Sequence, residues 1–254
     1  MLLIDSHCHF DDDSFHQDHD QAYRRALAAG VEIQVIPGVT ADWWPRIKRT
    51  CERYTGLYAA YGLHPLYLDE HREPHLEQLR EWIERERPVA VGECGLDYYI
   101  EQADPEQQRF YFTAQVALAR EYGLPVIIHA RRSVEEVIHT LRRYPGLRGV
   151  LHSYSGSEEQ ARQLIKLGFR MSFGGPVTYE RAKRLHRLIQ ALPLESILLE
   201  TDAPDQPVSS HRGERNEPAY LPIVLEAVSR LRGQPAELIA EQTTQNCREL
   251  FGLP

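Results

Sequence analysis

Residues 2–10, LLIDSHCHF, set a short apolar run directly before two histidines one residue apart. Side chains of a β-strand alternate between faces, so residues i and i+2 look the same way. If the strand that begins at Leu2 continues through this segment, His7 and His9 aim their rings at one point. Two neutral imidazoles converging on a point suit a divalent transition metal. The bland alternative is a pair of polar residues on a solvated strand end, and an isolated H-x-H does not separate the two. What separates them is whether a strand followed by a ligand-type side chain recurs along the chain.

It recurs. Apolar or β-branched runs fall at 2–4, 31–36, 57–61, 89–91, 126–128, 149–151, 169–173 and 197–199. Near-continuous apolar runs of this length fit strands buried on both faces, as in a parallel sheet. Helical stretches lie between them. Residues 104–123, DPEQQRFYFTAQVALAREYG, offer Asp104 as N-cap, Pro105 at the first helical position and Gly123 as a stop. Residues 157–168, SEEQARQLIKLG, repeat the pattern from Ser157 to Gly168, and 74–87, 178–192 and 235–252 carry helical spacing of apolar residues. Eight strands alternating with helices, without a low-complexity linker, predict an α/β fold of the (β/α)₈ TIM-barrel type, a single domain over residues 1–254. An open doubly wound sheet is the alternative. Uneven strand spacing and the lack of internal sequence likeness argue against a solenoid.

Composition narrows the function. With 42% hydrophobic and 26% charged residues, the 254-residue chain is globular and can bury a substantial core. Its formal net charge of −8, from 29 basic and 37 acidic residues, argues against a broad basic face for duplex nucleic acid. A phosphate substrate stays open, because bound cations reverse the local sign. The four cysteines, Cys8, Cys51, Cys94 and Cys247, form no C-x-x-C pair, so neither a disulfide framework nor a zinc knuckle is expected. Cys8 and Cys94 alternate away from the neighbouring candidate ligands and are expected in the core. No basic-then-apolar leader and no membrane-length apolar run is present, so a soluble cytoplasmic protein is expected, with no membrane and no obligatory protein partner.

The strand ends carry the chemistry. The first run leads into Asp5, His7 and His9; the third, fourth, fifth, sixth and eighth lead into His64 in GLHP, Glu93 in VAVGECGLD, His129 in PVIIHAR, His152 in GVLHSYSG and Asp202 in ILLETDAP. Five of the 12 histidines sit at these ends, whereas His71, His75, His139 and His186 read as ordinary surface residues. In a barrel all strand C-termini open onto one face. Singly, His129 reads equally well as a buried hydrogen-bonded ring, Glu93 as an ion-pair partner and Asp202 as a cap. Together, buried groups of this kind repel or stay unpaired without a cation. Six ligands exceed one tetrahedral zinc but suit two divalent ions (Zn, Mg or Mn) that share a carboxylate. The natural division puts His7, His9, Glu93 and Asp202 around one and Glu93, His129 and His152 around the other, with Glu93 bridging. Such a pair, roughly 3.5–4 Å apart, activates a water and stabilises both attacking and leaving oxygens.

The motifs DSHCHFD, GLHP, VGECGLDYY, LAREYGLPVIIHAR, LHSYSGS, ETDAPDQP, RNEP and TTQNCRELFG, in this order, make the chain resemble the TatD-like metal-dependent hydrolases along its whole length. The resemblance implies a barrel of the amidohydrolase superfamily and a metal-dependent phosphodiesterase (deoxyribonuclease) activity. It places the ligands on His7, His9, Glu93, His129, His152 and Asp202, with His64 near the substrate phosphate. Asp202 is then ligand and proton acceptor, and His64 serves the leaving side. Arg131, Arg132 and Arg212 are candidate phosphate contacts, and Asp205 either orients a ligand or caps a turn. Two positions depart from the commonest family pattern: Cys94 after Glu93, where an aliphatic residue is usual, and Tyr154, where phenylalanine is frequent, which makes Tyr154 a candidate substrate contact. The expected substrate is a nucleic acid or nucleotide phosphodiester, single-stranded or at an end. The alternative function is hydrolysis of C–N or carboxylic ester bonds, since such a site also polarises a carbonyl. A binding protein with a vestigial site is disfavoured, because no ligand position is lost.

Overall fold

The computed structural model describes residues 1–99 and 104–254. Strands β1 (Leu3–Asp5), β2 (Val31–Pro37), β3 (Leu57–Tyr61), β4 (Ala90–Asp97), β5 (Val126–Arg131), β6 (Gly149–Leu151), β7 (Phe169–Phe173) and β8 (Ile197–Leu199) pair in chain order, all parallel. Helices α1 (His19–Ala28), α2 (Trp44–Arg53), α3 (Pro74–Glu86), α4 (Pro105–Tyr122), α5 (Val134–Leu141), α6 (Glu158–Lys166), α7 (Lys183–Ala191), α8 (Leu221–Arg232) and α9 (Ala236–Phe251) alternate with them. This is the (β/α)₈ barrel, and the doubly wound alternative falls. Asp5 draws β8 to β1: its carboxylate accepts from the Thr201 N–H at 3.0 Å and the Thr201 hydroxyl at 2.5 Å, while the Ser6 N–H donates to Leu199 O at 3.0 Å.

Inside the barrel Ile4, Ile33, Val35, Ala60, Ala90, Ile127, Val150 and Leu198 meet Cys247, Leu250 and Phe251 of α9, which plugs the end where the strands begin. Asn246 fixes that plug by donating to Leu194 O and Ile197 O, each at 2.8 Å. Everything chemical is thereby left to the opposite end. Cys8 and Cys94 are fully buried in the larger apolar cluster around the barrel, as alternation requires. Among the described residues no helix is long and apolar enough to cross a membrane.

Local signals behave as their chemistry dictates. Asp104 caps α4 through the N–H groups of Glu106 and Gln107, and Ser157 forms a capping box with Gln160 at α6. Two expectations need correction. The helix predicted over 178–192 begins only at Lys183, because Thr178 and Tyr179 bond outside it: the Thr178 hydroxyl accepts from the Ser209 N–H at 2.7 Å, and the Tyr179 hydroxyl donates to Pro207 O at 3.0 Å. The runs at 89–91 and 126–128 extend to Asp97 and Arg131, so Glu93 and His129 lie within strands and not past their ends. The extension pairs Cys94 with Ile128 and Asp97 with Arg131 beyond a register shift. It contains Gly95, where an added Cβ would stand 2.0 Å from His129 O at φ +147°, so only glycine lets β4 and β5 approach there. Polar and glycine residues hid this stretch from a reading of apolar runs.

Candidate metal centre

β1 ends at Asp5, so strict strand alternation does not explain why His7 and His9 converge. The segment is held between its neighbours instead: the Cys8 N–H donates to Val35 O at 3.1 Å, the Asp202 N–H to His7 O at 2.9 Å and the His9 N–H to Ala203 O at 2.8 Å. Nε2 of His7 and Nε2 of His9 come within 3.3 Å of each other. Across the barrel, His129 Nδ1 and His152 Nε2 stand 3.2 Å apart.

Glu93 lies between the two pairs. Its Oε2 is 3.1 Å from His7 Nε2 and 3.6 Å from His9 Nε2. Its Oε1 is 2.8 Å from His152 Nε2, 3.2 Å from His129 Nδ1 and 2.9 Å from His64 Nε2. Asp202 Oδ1 completes the first set at 3.4 Å from His7 and 3.7 Å from His9. Donor atoms of His7, His9 and Asp202, of His7, Glu93 and His152, and of His64, Glu93 and His129 each lie within 4.8 Å of one another, the spacing a cation needs. All six residues named as ligands from the sequence meet here.

Tautomers sort donors from ligands. The His129 Nε2–H donates to Asp97 Oδ2 at 2.8 Å, which leaves the Nδ1 lone pair facing the centre. His64 is the reverse case. Its Nδ1 accepts from the Leu66 N–H at 3.1 Å, so a neutral ring carries its proton on Nε2 and donates it to Glu93. His64 therefore belongs to the site as a hydrogen-bond donor. His71, read as a surface residue, is 3% exposed and supports it, with Nε2 2.8 Å from His64 O.

Several supporting residues escaped the sequence reading. Glu200, fully buried, accepts from the Ser153 N–H at 2.7 Å and lies 3.8 Å from His152 Nδ1. Gln206, not Asp205, holds the second oxygen of Asp202: its amide N–H donates to Oδ2, and its Oε1 accepts from the Ser153 hydroxyl at 2.9 Å. The Asp205 carboxylate is exposed at the cavity rim, and its backbone N–H caps a turn on Asp202 O at 2.9 Å. Asn216 of the RNEP motif is fully buried and donates to Thr201 O and Asp205 O, each at 2.8 Å, which pins the loop carrying Asp202. Asp202 sits at φ +57° and Ser153 at φ +44°, left-handed conformations that a non-glycine residue holds only when its surroundings enforce them. "GLD" and "RNEP" were visible motifs; their partners were not.

The centre opens into a cavity of about 630 Å³, whose walls include Arg131, Tyr154 and Asp205. Arg131 is the one expected arginine that lines it; Arg132 stacks beside it over the Tyr99 ring, and Arg212 is exposed elsewhere. Tyr154 is 2% exposed and its hydroxyl donates to Ser157 O at 2.7 Å, so it shapes the wall and does not offer its hydroxyl to a substrate.

Electrostatically the carboxylates dominate. Burial opposes charge on Glu93, yet His152, His64 and His7 outweigh it and hold the acid well below the usual range. Burial also opposes protonation of His9 and His152, but Glu93 and Asp202 prevail and push them up to about 9 and about 10. His7 goes the other way, to about 4, because burial and the neighbouring His152 disfavour its charge. Without a cation, His9 and His152 thus carry protons at neutral pH. Ligation needs them neutral, so metal uptake is expected to release protons, and affinity should rise with pH until the two rings titrate, at about 9 and about 10. Calorimetric titration in buffers of different ionisation enthalpy measures this. Proton-independent uptake would show that His9 and His152 are already neutral before the metal binds, or that they are not ligands.

From residue 4 to residue 252 the chain matches the family described as TatD related DNase. It is 41% identical over 256 residues to the metal-dependent hydrolase YjjV of Escherichia coli K12, covering 99% of this chain and 98% of that protein. It is 34% identical over 252 residues to the 3'-5' ssDNA/RNA exonuclease TatD of Klebsiella pneumoniae, covering 94% of each. The crystal structure of YjjV is similar with a TM-score of 0.95 at 40% identity, over 99% of this chain and 98% of that one.

Proposed function

The chain belongs to the TatD related DNase family of metal-dependent hydrolases, and from that premise we propose that it cleaves phosphodiester bonds of single-stranded nucleic acid with two divalent cations. The observation that carries this reading is the division of donors about Glu93, one oxygen toward His7 and His9 and the other toward His129 and His152. An imidazole-rich set with two carboxylates fits zinc or manganese better than magnesium, which prefers oxygen ligands. Bound there, the cations supply Lewis acidity and lower the pKa of water toward neutrality.

The protein's own groups do the rest. Asp202, with Oδ2 fixed by Gln206 and Oδ1 facing His7 and His9, accepts the proton of the attacking water. Glu93 keeps the two donor sets in register. His64, whose Nδ1 is engaged by the Leu66 N–H, carries its proton on Nε2 and donates it to Glu93; it serves the leaving side by passing that hydrogen bond from Glu93 to the departing oxygen. Arg131 at the cavity wall draws the phosphate chain inward. The name of the Klebsiella relative, a single-strand exonuclease, agrees with this substrate class.

The acidic surface sets the preference among substrates. With a net charge of −8, closed circular duplex should be cut far more slowly than a short single strand, whose end can enter the cavity. Assays of both, with zinc, manganese or magnesium and alongside simple esters and lactones, test the reading. Equal rates on circle and single strand would contradict it, and faster turnover of esters would move the assignment to carboxylic substrates.

A further inference from the structure

One wall of the cavity is aromatic and plays no part in holding cations. Trp43 stands on the turn after β2, and Tyr67 on the turn after β3; both are half-buried and line the cavity. The adjacent tryptophans divide their work. Trp44 is fully buried and donates its indole N–H to Gly62 O at 3.0 Å, whereas Trp43 turns toward the opening.

The rings form a path outward from the centre. His64, bonded to Glu93, meets Tyr67 at 5.9 Å between centroids, and Tyr67 meets Trp43 at 5.7 Å, both edge to face. The turn bearing Tyr67 leaves helical geometry at that residue (φ −115°, ψ 31°). The Arg46 guanidinium stacks 4.4 Å from the centroid of Trp43 and is itself tied to Asp11 at 3.1 Å and Asp13 at 3.0 Å, so the indole is braced. Leu66, 40% exposed, extends the apolar surface. Half-exposed rings held at a cavity wall are poor core and good platform: a planar ligand that covers them removes apolar area from water and stacks on their π-faces.

We propose that Trp43 and Tyr67 seat the nucleobase of the nucleotide whose phosphate lies at Glu93, so that the enzyme selects nucleotides over base-free phosphodiesters. The placement of the phosphate rests on the function proposed above. One sugar separates a phosphate from its own base, and the wall begins one ring beyond His64. Stacking tolerates any base, since every base has a π-face.

Binding tests the seat apart from turnover. By calorimetry, thymidine 5'-monophosphate should bind the wild-type protein roughly five- to a hundredfold tighter than 2-deoxyribose 5-phosphate, the range expected for one base on aromatic side chains. Trp43→Leu with Tyr67→Leu, which keeps apolar bulk but no π-face, should erase that advantage and leave the sugar phosphate's affinity unchanged in a protein that still melts cooperatively, a few degrees lower for the lost ring contacts. Trp43→Phe with Tyr67→Phe should keep most of it. No preference in the wild type, a preference that survives the leucine pair, or one lost equally in the phenylalanine pair would overturn the proposal. A base preference without cleavage of any dinucleotide would instead refute the phosphodiesterase reading and leave the seat standing.

Discussion

Glu93→Ala is expected to eliminate turnover and most bound metal while leaving a folded barrel. Five imidazoles lie within 3.6 Å of this one carboxylate, which is 2% exposed. Its removal takes a shared anionic donor from both halves of the centre at once. The fall in kcat/KM should therefore exceed about 10⁴, the upper end of what loss of a single proton-transfer group produces. Stability should suffer less than burial suggests. His9 and His152 owe their raised pKa values largely to Glu93 and Asp202; without Glu93 they shed protons and remain as neutral buried rings. The sign follows. A histidine raised in the folded state contributes stability that is full below its unfolded pKa and fades as pH rises through the folded value. The metal-free wild type is accordingly expected to lose stability as pH rises from about 6.5 to about 9–10, and the alanine variant to lose less of it over that range. Metal analysis, turnover and thermal melts against pH check all three. Two equivalents of metal retained by the variant would rule out the bridging role.

Asp202→Asn should lower kcat by about 10²–10⁴, as expected for loss of a general base, with KM changed much less. The backbone places no obstacle: φ at this position is +57°, a conformation asparagine tolerates about as well as aspartate. The chemistry does. Asp202 accepts at Oδ2 from the Gln206 amide and at Oδ1 faces His7 and His9. An asparagine must turn an NH₂ toward one of the two, and neither orientation offers an oxygen able to take a proton at neutral pH. If Asp202 only capped its turn, asparagine would serve equally and kcat would stay near normal. A parallel loss of metal and kcat would support Asp202 as a ligand and leave its role as base unproven.

The sequence by itself determined whatever depends on neighbours along the chain. Apolar runs gave the strands, and Asp104 and Ser157 gave helix starts, because caps act within one turn. The side-chain types on six of the eight strand segments pointed to a cation site before any contact was visible. Tertiary structure decided what depends on register between distant segments. Nothing near His129 in sequence says that Asp97, 32 residues earlier, orients its ring; that follows from β4 and β5 pairing past a register shift. The convergence of His7 and His9 likewise comes from hydrogen bonds to β2 and the β8 loop and not from alternation, since β1 stops at Asp5. Gln206, Glu200 and the Trp43–Tyr67 wall were illegible for the same reason. A side chain's chemical type is written at its own position, but its partner is chosen by how eight strands close into a barrel, and that choice is made by the packing of the whole chain.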